Sequence, residues 1–236
     1  EEYWPADTHS IGIGITWFHA VIWPAMLLSA GYKLPKKVWV HGYLTVDGQK
    51  MSKSLGNVVD PIAIAEKYGT DALRYYLLRE IPFENDGDFS EEMLKERHNN
   101  ELANKLGNLV SRLSTLAEKY NLEKTNVPWI IKDVTAKIED YVEKFELDKA
   151  LHEIFSGIDK INEYLQSEKP WETKDKRVLY IAADHLKYCT ILLSPFLPET
   201  CEKIAKTFNF NLDLKSLNEP LKISKIKKSD ILFKKL

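Results

Sequence analysis

At 236 residues and 44% hydrophobic content the chain can bury a core of one large or two modest domains, which excludes disordered and fibrous classes. Lys+Arg 33 against Asp+Glu 35 leaves a net charge of −2, so any nucleic-acid partner has to be met by a local basic face and not by bulk charge.

The start, Glu1-Glu2-Tyr3, lacks the basic and apolar regions of a signal peptide. Thr16 to Ala30 reads as a helix rich in apolar and aromatic residues, interrupted by Pro24 and closed by Gly31. Val38 and Val40, then Leu44 and Val46 across His41-Gly42, switch to a strand period, and Asp47-Gly48 is a hairpin signal. Asp60-Pro61 opens a helix that Gly69 closes, and Thr70-Asp71 is expected to cap another through about Arg79. This stretch is mixed α/β with too few strands to close a sheet, as expected of the tail of a larger domain.

From Glu91 onward the pattern is helical. Leu102, Leu106, Leu109, Leu113 and Leu116 follow the 3.6 period and define a buried face. Further helices are expected over 131–166 and 172–193, with breaks at Val127-Pro128, Pro170 and the Pro195/Pro198 pair, and a short one follows over 199–207. An antiparallel helix bundle is the expected packing. Cys189 and Cys201 have no second pair and no His at ligand spacing, which argues against a disulfide scaffold or a metal site and fits a reducing cytoplasm. The longest apolar run, near Ile191 to Leu197, is far short of a membrane span, so no membrane partner is expected. Lys222, Lys225, Lys227, Lys228, Lys234 and Lys235 near the end read first as a solvated tail, with RNA contact as the alternative.

The most specific string is Lys50-Met51-Ser52-Lys53-Ser54, between Val46-Asp47-Gly48-Gln49 and Leu55-Gly56-Asn57. Two lysines three apart with small polar residues between them make a cationic loop that can close on a polyphosphate. An ammonium that arrives as charge builds on a leaving pyrophosphate lowers the barrier instead of tightening the ground state. By composition alone such a loop is an exposed hairpin tip.

As a string, it resembles the signature loop of class I aminoacyl-tRNA synthetases. Tyr3-Trp4-Pro5-Ala6-Asp7, Trp17 to Ala25, His41-Gly42-Tyr43, Asp71 to Leu78 and Leu106 to Arg112 together resemble methionyl-tRNA synthetases of bacterial type. The likeness runs from residue 3 to about 193 and resumes at Ile231-Leu232-Phe233. It implies the end of a Rossmann-like catalytic domain over 1–46, the lysine loop and connecting helices over 47–98, an anticodon-binding helix bundle over 99–212, and a basic tail over 213–236 that packs back on the catalytic region. It also implies catalytic roles for Lys50, Ser52 and Lys53, ATP contacts from Lys53 and His41, and a methionine pocket lined by Ile15 and His19. On residues alone, His19 beside Trp17 and Phe18 reads as a satisfied core histidine.

The chain departs from that family in two places. Ile13-Gly14 stands where the family carries Lys-Asp, whose aspartate is expected to meet the adenylate ribose; either that contact is lost or position 14 needs a positive φ. The family's His-x-Gly-His element is missing as well. His9-Ser10-Ile11-Gly12 is followed by Ile13 in place of the second imidazole, and no strand-to-helix entry is expected before it.

Asn104, Asn108 and Arg112 fall at i, i+4 and i+8, a polar stripe opposite the leucines. Polar residues on an outer face are ordinarily solvation, yet amides and a guanidinium can also read the edges of unpaired bases. Trp171, next to Pro170 in a polar stretch, is either a staple under the following helix or a platform on which a base stacks. The resemblance implies that Asn104, Asn108, Arg112 and Trp171 read the CAU anticodon. The expected function is thus part of a methionine–tRNA ligase acting on methionine, ATP with Mg2+ as substrate, and tRNA(Met). Alone, the chain is expected to be inactive without an N-terminal catalytic half in cis or trans. A pure anticodon-binding module or subunit is the alternative; synthetases for leucine, isoleucine, valine or cysteine share the loop, but the Asn104/Asn108/Arg112/Trp171 set argues against them.

Overall fold

The computed structural model describes residues 3–46, 48–52, 54, 56–81, 85–126, 128, 134–223 and 225–236. The chain divides into an α/β unit, Glu1–Val59 with Glu80–Ser90, and a helical unit, Asp60–Arg79 with Glu91–Leu236.

In the α/β unit, β1 (His9–Gly12) pairs in parallel with β2 (Val38–His41), from His9↔Val38 to Gly12↔His41. The connection is helical, as a parallel pair requires. A 3-10 turn (Ile13–Ile15) leads into a π-helical turn (Phe18–Ile22) and then α1 (Trp23–Ser29). The wide turn follows from Pro24, which cannot donate to the turn before it; Trp23 N–H bonds instead to the Phe18 carbonyl, five residues back. Gly31, at φ +75°, follows the helix end as expected.

β3 (Leu44–Val46) pairs antiparallel with β4 (Gln49–Lys50) through Val46↔Gln49. Gly48 turns at φ +70°, and Asp47 lies outside the described residues. The other edge of β3 takes a strand that sequence reasoning missed, β5 (Gly87–Phe89), in parallel. Ile11, Leu27 and Phe89 are buried, whereas Ile13, Trp17, Phe18, Met26 and Leu28 are exposed, Trp17 to 66%.

The helical unit begins with α2 (Pro61–Tyr68), whose Asp60 carboxylate accepts from Ile62 N at 2.9 Å. Gly69 ends it at φ +95°. α3 (Thr70–Glu80) follows, but Asp71 does not serve its own helix as expected. It is buried and accepts from Thr200 N at 2.7 Å, at the start of α10 (Pro198–Phe208), where Leu197 in the cap position has no side-chain acceptor to offer. Arg74 donates to the carbonyls of Pro195 and Phe196, and the Tyr75 hydroxyl donates to Glu101. Burial, with the charge of Glu101, holds the Tyr75 phenol well above its ordinary value. The Asp71-to-Leu78 string is therefore accounted for in large part by packing and satisfied polar groups.

A long helical run combines α4 (Glu91–Arg97), a π-helical stretch (His98–Gly107) and α5 (Asn108–Tyr120). Leu102, Leu106, Leu109 and Leu113 are fully buried, as the periodicity requires, and Leu116 is half-buried. The helix expected over 131–166 is two: α6 (Thr135–Glu143) and α7 (Leu147–Glu168), separated where Phe145 adopts φ +60°. A single turn, α8 (Pro170–Thr173), lies between Lys169 and Lys174, both left-handed, before α9 (Lys176–Leu193).

α9 packs on α7, α5 and α10, and from Val178 to Leu193 all but Asp184 are buried, so it is the centre of the core. Asp175 caps it by accepting from Arg177 N at 2.9 Å. Its buried Lys187 donates to the carbonyls of Ser216 and Glu219, and Tyr180 donates to that of Leu221 at 2.9 Å, which fastens the segment after α10. Farther on, Ser229 N donates to Ser114 Oγ at 3.1 Å, the His98 imidazole donates to the Lys234 carbonyl at 2.8 Å, and Asn99 bonds both backbone groups of Leu236. Within this unit the tail thus lies along α4–α5, with its six named lysines exposed. Among the described residues no helix is long and apolar enough to cross a membrane.

Candidate nucleotide loop and RNA-reading surface

β1 and β2 end side by side, which puts Gly12 and His41 at the carboxyl edge of a parallel pair, the edge at which α/β sheets receive ligands. His41 is fixed by a 2.9 Å contact of Nδ1 with the Gly42 carbonyl, and a Cβ on Gly12 would lie 3.5 Å from its ring. Gly42 itself admits no side chain, since a Cβ there would fall 2.3 Å from the Asn85 carbonyl oxygen. Just past β1, Ile15 is exposed and His19 Nδ1 lies 3.1 Å from its carbonyl; the His19 ring meets the His9 ring edge-on at 6.2 Å. Ile15 and His19 are thus one turn apart on one surface.

Two expectations about this turn change. His9 begins a strand that runs into the helical connection, so a strand-to-helix entry exists here, although Ile13 still occupies the second imidazole's place. Gly14 has no positive φ; what limits it is Tyr43, whose hydroxyl lies 2.5 Å from where a Cβ would be. The Tyr43 ring also receives the Lys50 ammonium at 4.6 Å from its centroid, a cation–π contact. Tyr43 therefore links the 13–15 turn to the lysine loop, a role visible beforehand only as part of the quoted His41-Gly42-Tyr43 string.

Lys50 closes β4, exposed, opposite Thr45. Beyond it Asn57 clamps the loop: its Oδ1 accepts from Ser52 N at 2.8 Å and its Nδ2 donates to the Lys50 carbonyl at 3.3 Å. Ser52 and Ser54 share a 2.8 Å hydroxyl contact, and Lys53 lies outside the described residues. Asp88 steadies the hairpin from β5, accepting from Thr45 Oγ1 at 2.7 Å and Gly48 N at 2.9 Å, and these bonds hold its carboxyl below the usual range. Among the described residues no group of three or more His, Cys, Asp and Glu could hold a metal.

In the helical unit, Arg112 on α5 and Trp171 on α8 come together, with the guanidinium carbon 5.8 Å from the ring centroid. Both are half-buried, and burial lowers the Arg112 pKa. Asn162 on α7, which sequence reasoning missed, accepts from Arg112 Nη2 at 2.9 Å. Its only advance signal is its place on the expected helix, nine residues before Trp171. Asn108 is exposed and Asn104, in the π-helical stretch before α5, is half-buried. A second link between these helices, Lys105 to Asp159 at 2.7 Å, lies alongside.

The family "tRNA synthetases class I (M)" matches residues 1–114, and "Anticodon-binding domain of tRNA ligase" matches residues 130–233. Methionine–tRNA ligase of Caldanaerobacter subterraneus subsp. tengcongensis is 42% identical over 261 aligned residues, which cover 100% of this chain and 41% of that protein. The Thermotoga maritima methionine–tRNA ligase is 40% identical over 227 residues, covering 89% and 36%. Methionyl-tRNA synthetase of Mycobacterium tuberculosis, solved with methionyl-adenylate, superposes at TM-score 0.92 and 31% identity over 98% of this chain and 50% of that one. The chain spans between 36% and 50% of the length of these relatives. Matched along its length by an ordered pair of synthetase regions and by full-length relatives of one kind, the chain belongs to the methionyl-tRNA synthetase family, as part of a class I catalytic domain followed by an anticodon-binding domain.

Proposed function

We propose that the chain is the loop-bearing and tRNA-reading part of a methionine–tRNA ligase. In the complete reaction, the methionine carboxylate attacks the α-phosphorus of ATP, which enters as its Mg2+ complex; the bond to the β-phosphate oxygen breaks and pyrophosphate leaves. A terminal ribose hydroxyl of tRNA(Met) then displaces AMP from the adenylate. Lys50 and Lys53 meet the negative charge that grows on the leaving pyrophosphate, with Ser52 donating beside them. His41 contributes to the ATP site, and Ile15 with His19 to the methionine pocket. The exposed apolar residues Ile13, Trp17, Phe18, Met26 and Leu28 support packing of the rest of the catalytic fold on this surface, as a patch of that kind is rarely left to water. That packing supplies the remaining substrate contacts.

CAU reading is assigned to Asn104, Asn108, Arg112 and Trp171. The observation that carries this assignment is the half-buried Arg112 guanidinium held beside the Trp171 ring, an arrangement that offers a base both a flat face and fixed donors. Binding of a hairpin RNA with a CAU-containing anticodon loop tests it, against the same stem with a permuted loop. Preference for CAU by about tenfold or more is expected, and equal binding of the two refutes the assignment.

One observation favours a second reading, an RNA-binding module without chemistry. All four RNA-reading residues belong to the helical unit with its own closed core, whereas the loop belongs to a unit with its apolar surface open. Under that reading the preference for CAU survives and joining a catalytic half restores no methionine activation.

A further inference from the structure

We infer that Asn162 is a positioning residue for anticodon reading: it sets the plane of the Arg112 guanidinium so that the remaining N–H groups on its Nη atoms meet acceptor atoms of an unpaired base stacked at Trp171. The inference rests on the anticodon reading above. Arg112 carries five N–H donors in a rigid plane. One of them, on Nη2, is committed to Asn162 Oδ1 at 2.9 Å. Another, on Nε, is buried without any hydrogen-bond partner. That atom is closed to solvent, so the donors left for a base are the N–H groups on the two Nη atoms. A base edge offers carbonyl oxygens and ring nitrogens as acceptors for them.

Asn162 cannot turn over freely. Its Nδ2 donates to the Ile158 carbonyl, one turn back on α7, at 3.2 Å, which leaves the amide oxygen toward Arg112. A flipped amide would oppose N–H to N–H and lose both bonds. The neutral amide also holds the guanidinium without cancelling its charge, which a carboxylate at this position would do. Trp171 restrains the same guanidinium from another side, 5.8 Å from the ring centroid. The Lys105–Asp159 pair keeps α7 and the long helix in register nearby, so loss of Asn162 frees the guanidinium and leaves the helices in place.

The test uses the 236-residue chain, the CAU hairpin and the permuted-loop hairpin, with Asn162→Ala, Arg112→Ala and the double variant, each also followed through thermal unfolding. Alanine favours the helix, so folding is retained. Asn162→Ala should weaken CAU binding about tenfold, erase most of the preference over the permuted loop, and change nothing beyond twofold once Arg112 is alanine. An unfolding midpoint unchanged by Asn162→Ala accompanies that result. Binding within twofold of the parent, or the same loss with and without Arg112, overturns the inference while the anticodon reading stands. A parent chain that binds both hairpins equally refutes the anticodon reading in the first arm, and the inference with it.

Discussion

Asp71→Ala removes a carboxylate whose partner is far away in sequence. Asp71 is 5% exposed, and its Oδ2 accepts from Thr200 N at 2.7 Å in the first turn of α10. Loss of a helix cap costs about 0.5–2 kcal/mol, and a buried N–H left unpaired costs about 1–3 kcal/mol. The two overlap, since one bond is removed, so the expected loss is about 2 kcal/mol, or roughly 4–8 °C in the midpoint of a domain of this size. Asp71→Asn keeps an oxygen in place and gives up only the charge at the helix N-terminus, so it should lose half as much or less. Urea unfolding followed by far-ultraviolet circular dichroism reads both variants, with an unchanged slope showing that the unfolded reference is unaltered. A loss below about 0.5 kcal/mol for alanine, or a larger loss for asparagine than for alanine, refutes the assignment of Asp71 as the cap of α10.

Burial lowers the His185 pKa, so the unfolded chain takes up a proton that the folded one refuses. Stability should therefore be full above about pH 6.5 and fall as pH drops through that value toward the lower folded pKa, and urea midpoints at pH 7.5 and 5.5 should converge in His185→Gln. Gly87→Ala should loosen β5, because its Cβ would fall 2.0 Å from Ile81 Cγ2; Ile81→Ala should rescue it, read as protease resistance of the α/β unit. Asn57→Ala unties the loop ends, and with a catalytic half restored it should slow methionine activation several-fold while leaving CAU binding unchanged; a parallel fall in both would contradict a local role.

Features set by neighbours in sequence were legible. Asp60-Pro61 and Gly69 bound α2, Pro24 marks the disturbed turn before α1, and the leucines from Leu102 to Leu113 point inward as their spacing requires. What depends on distant partners was not. β5 is three residues long, too short for an alternation to register, and is recognised only by its pairing with β3. Asp71 looks like a local cap and serves a helix that starts 127 residues later. The break at Phe145 has no Pro or Gly to announce it, and no residue pattern announces the π-helical stretch before α5. In the candidate RNA site Arg112 and Trp171 could be named from the sequence, but Asn162, which holds Arg112 through one hydrogen bond, could not.

The most direct measurement is methionine-dependent exchange of pyrophosphate into ATP. The chain would be joined to the preceding half of the Caldanaerobacter relative, with Lys53→Ala beside it. The account predicts no exchange by the chain alone, exchange by the joined protein with methionine and not with leucine, isoleucine or valine, and a fall of about a hundredfold with Lys53→Ala at little change in ATP binding. Exchange driven by another of these amino acids, or a folded joined protein in which Lys53→Ala leaves the rate unchanged, would contradict it.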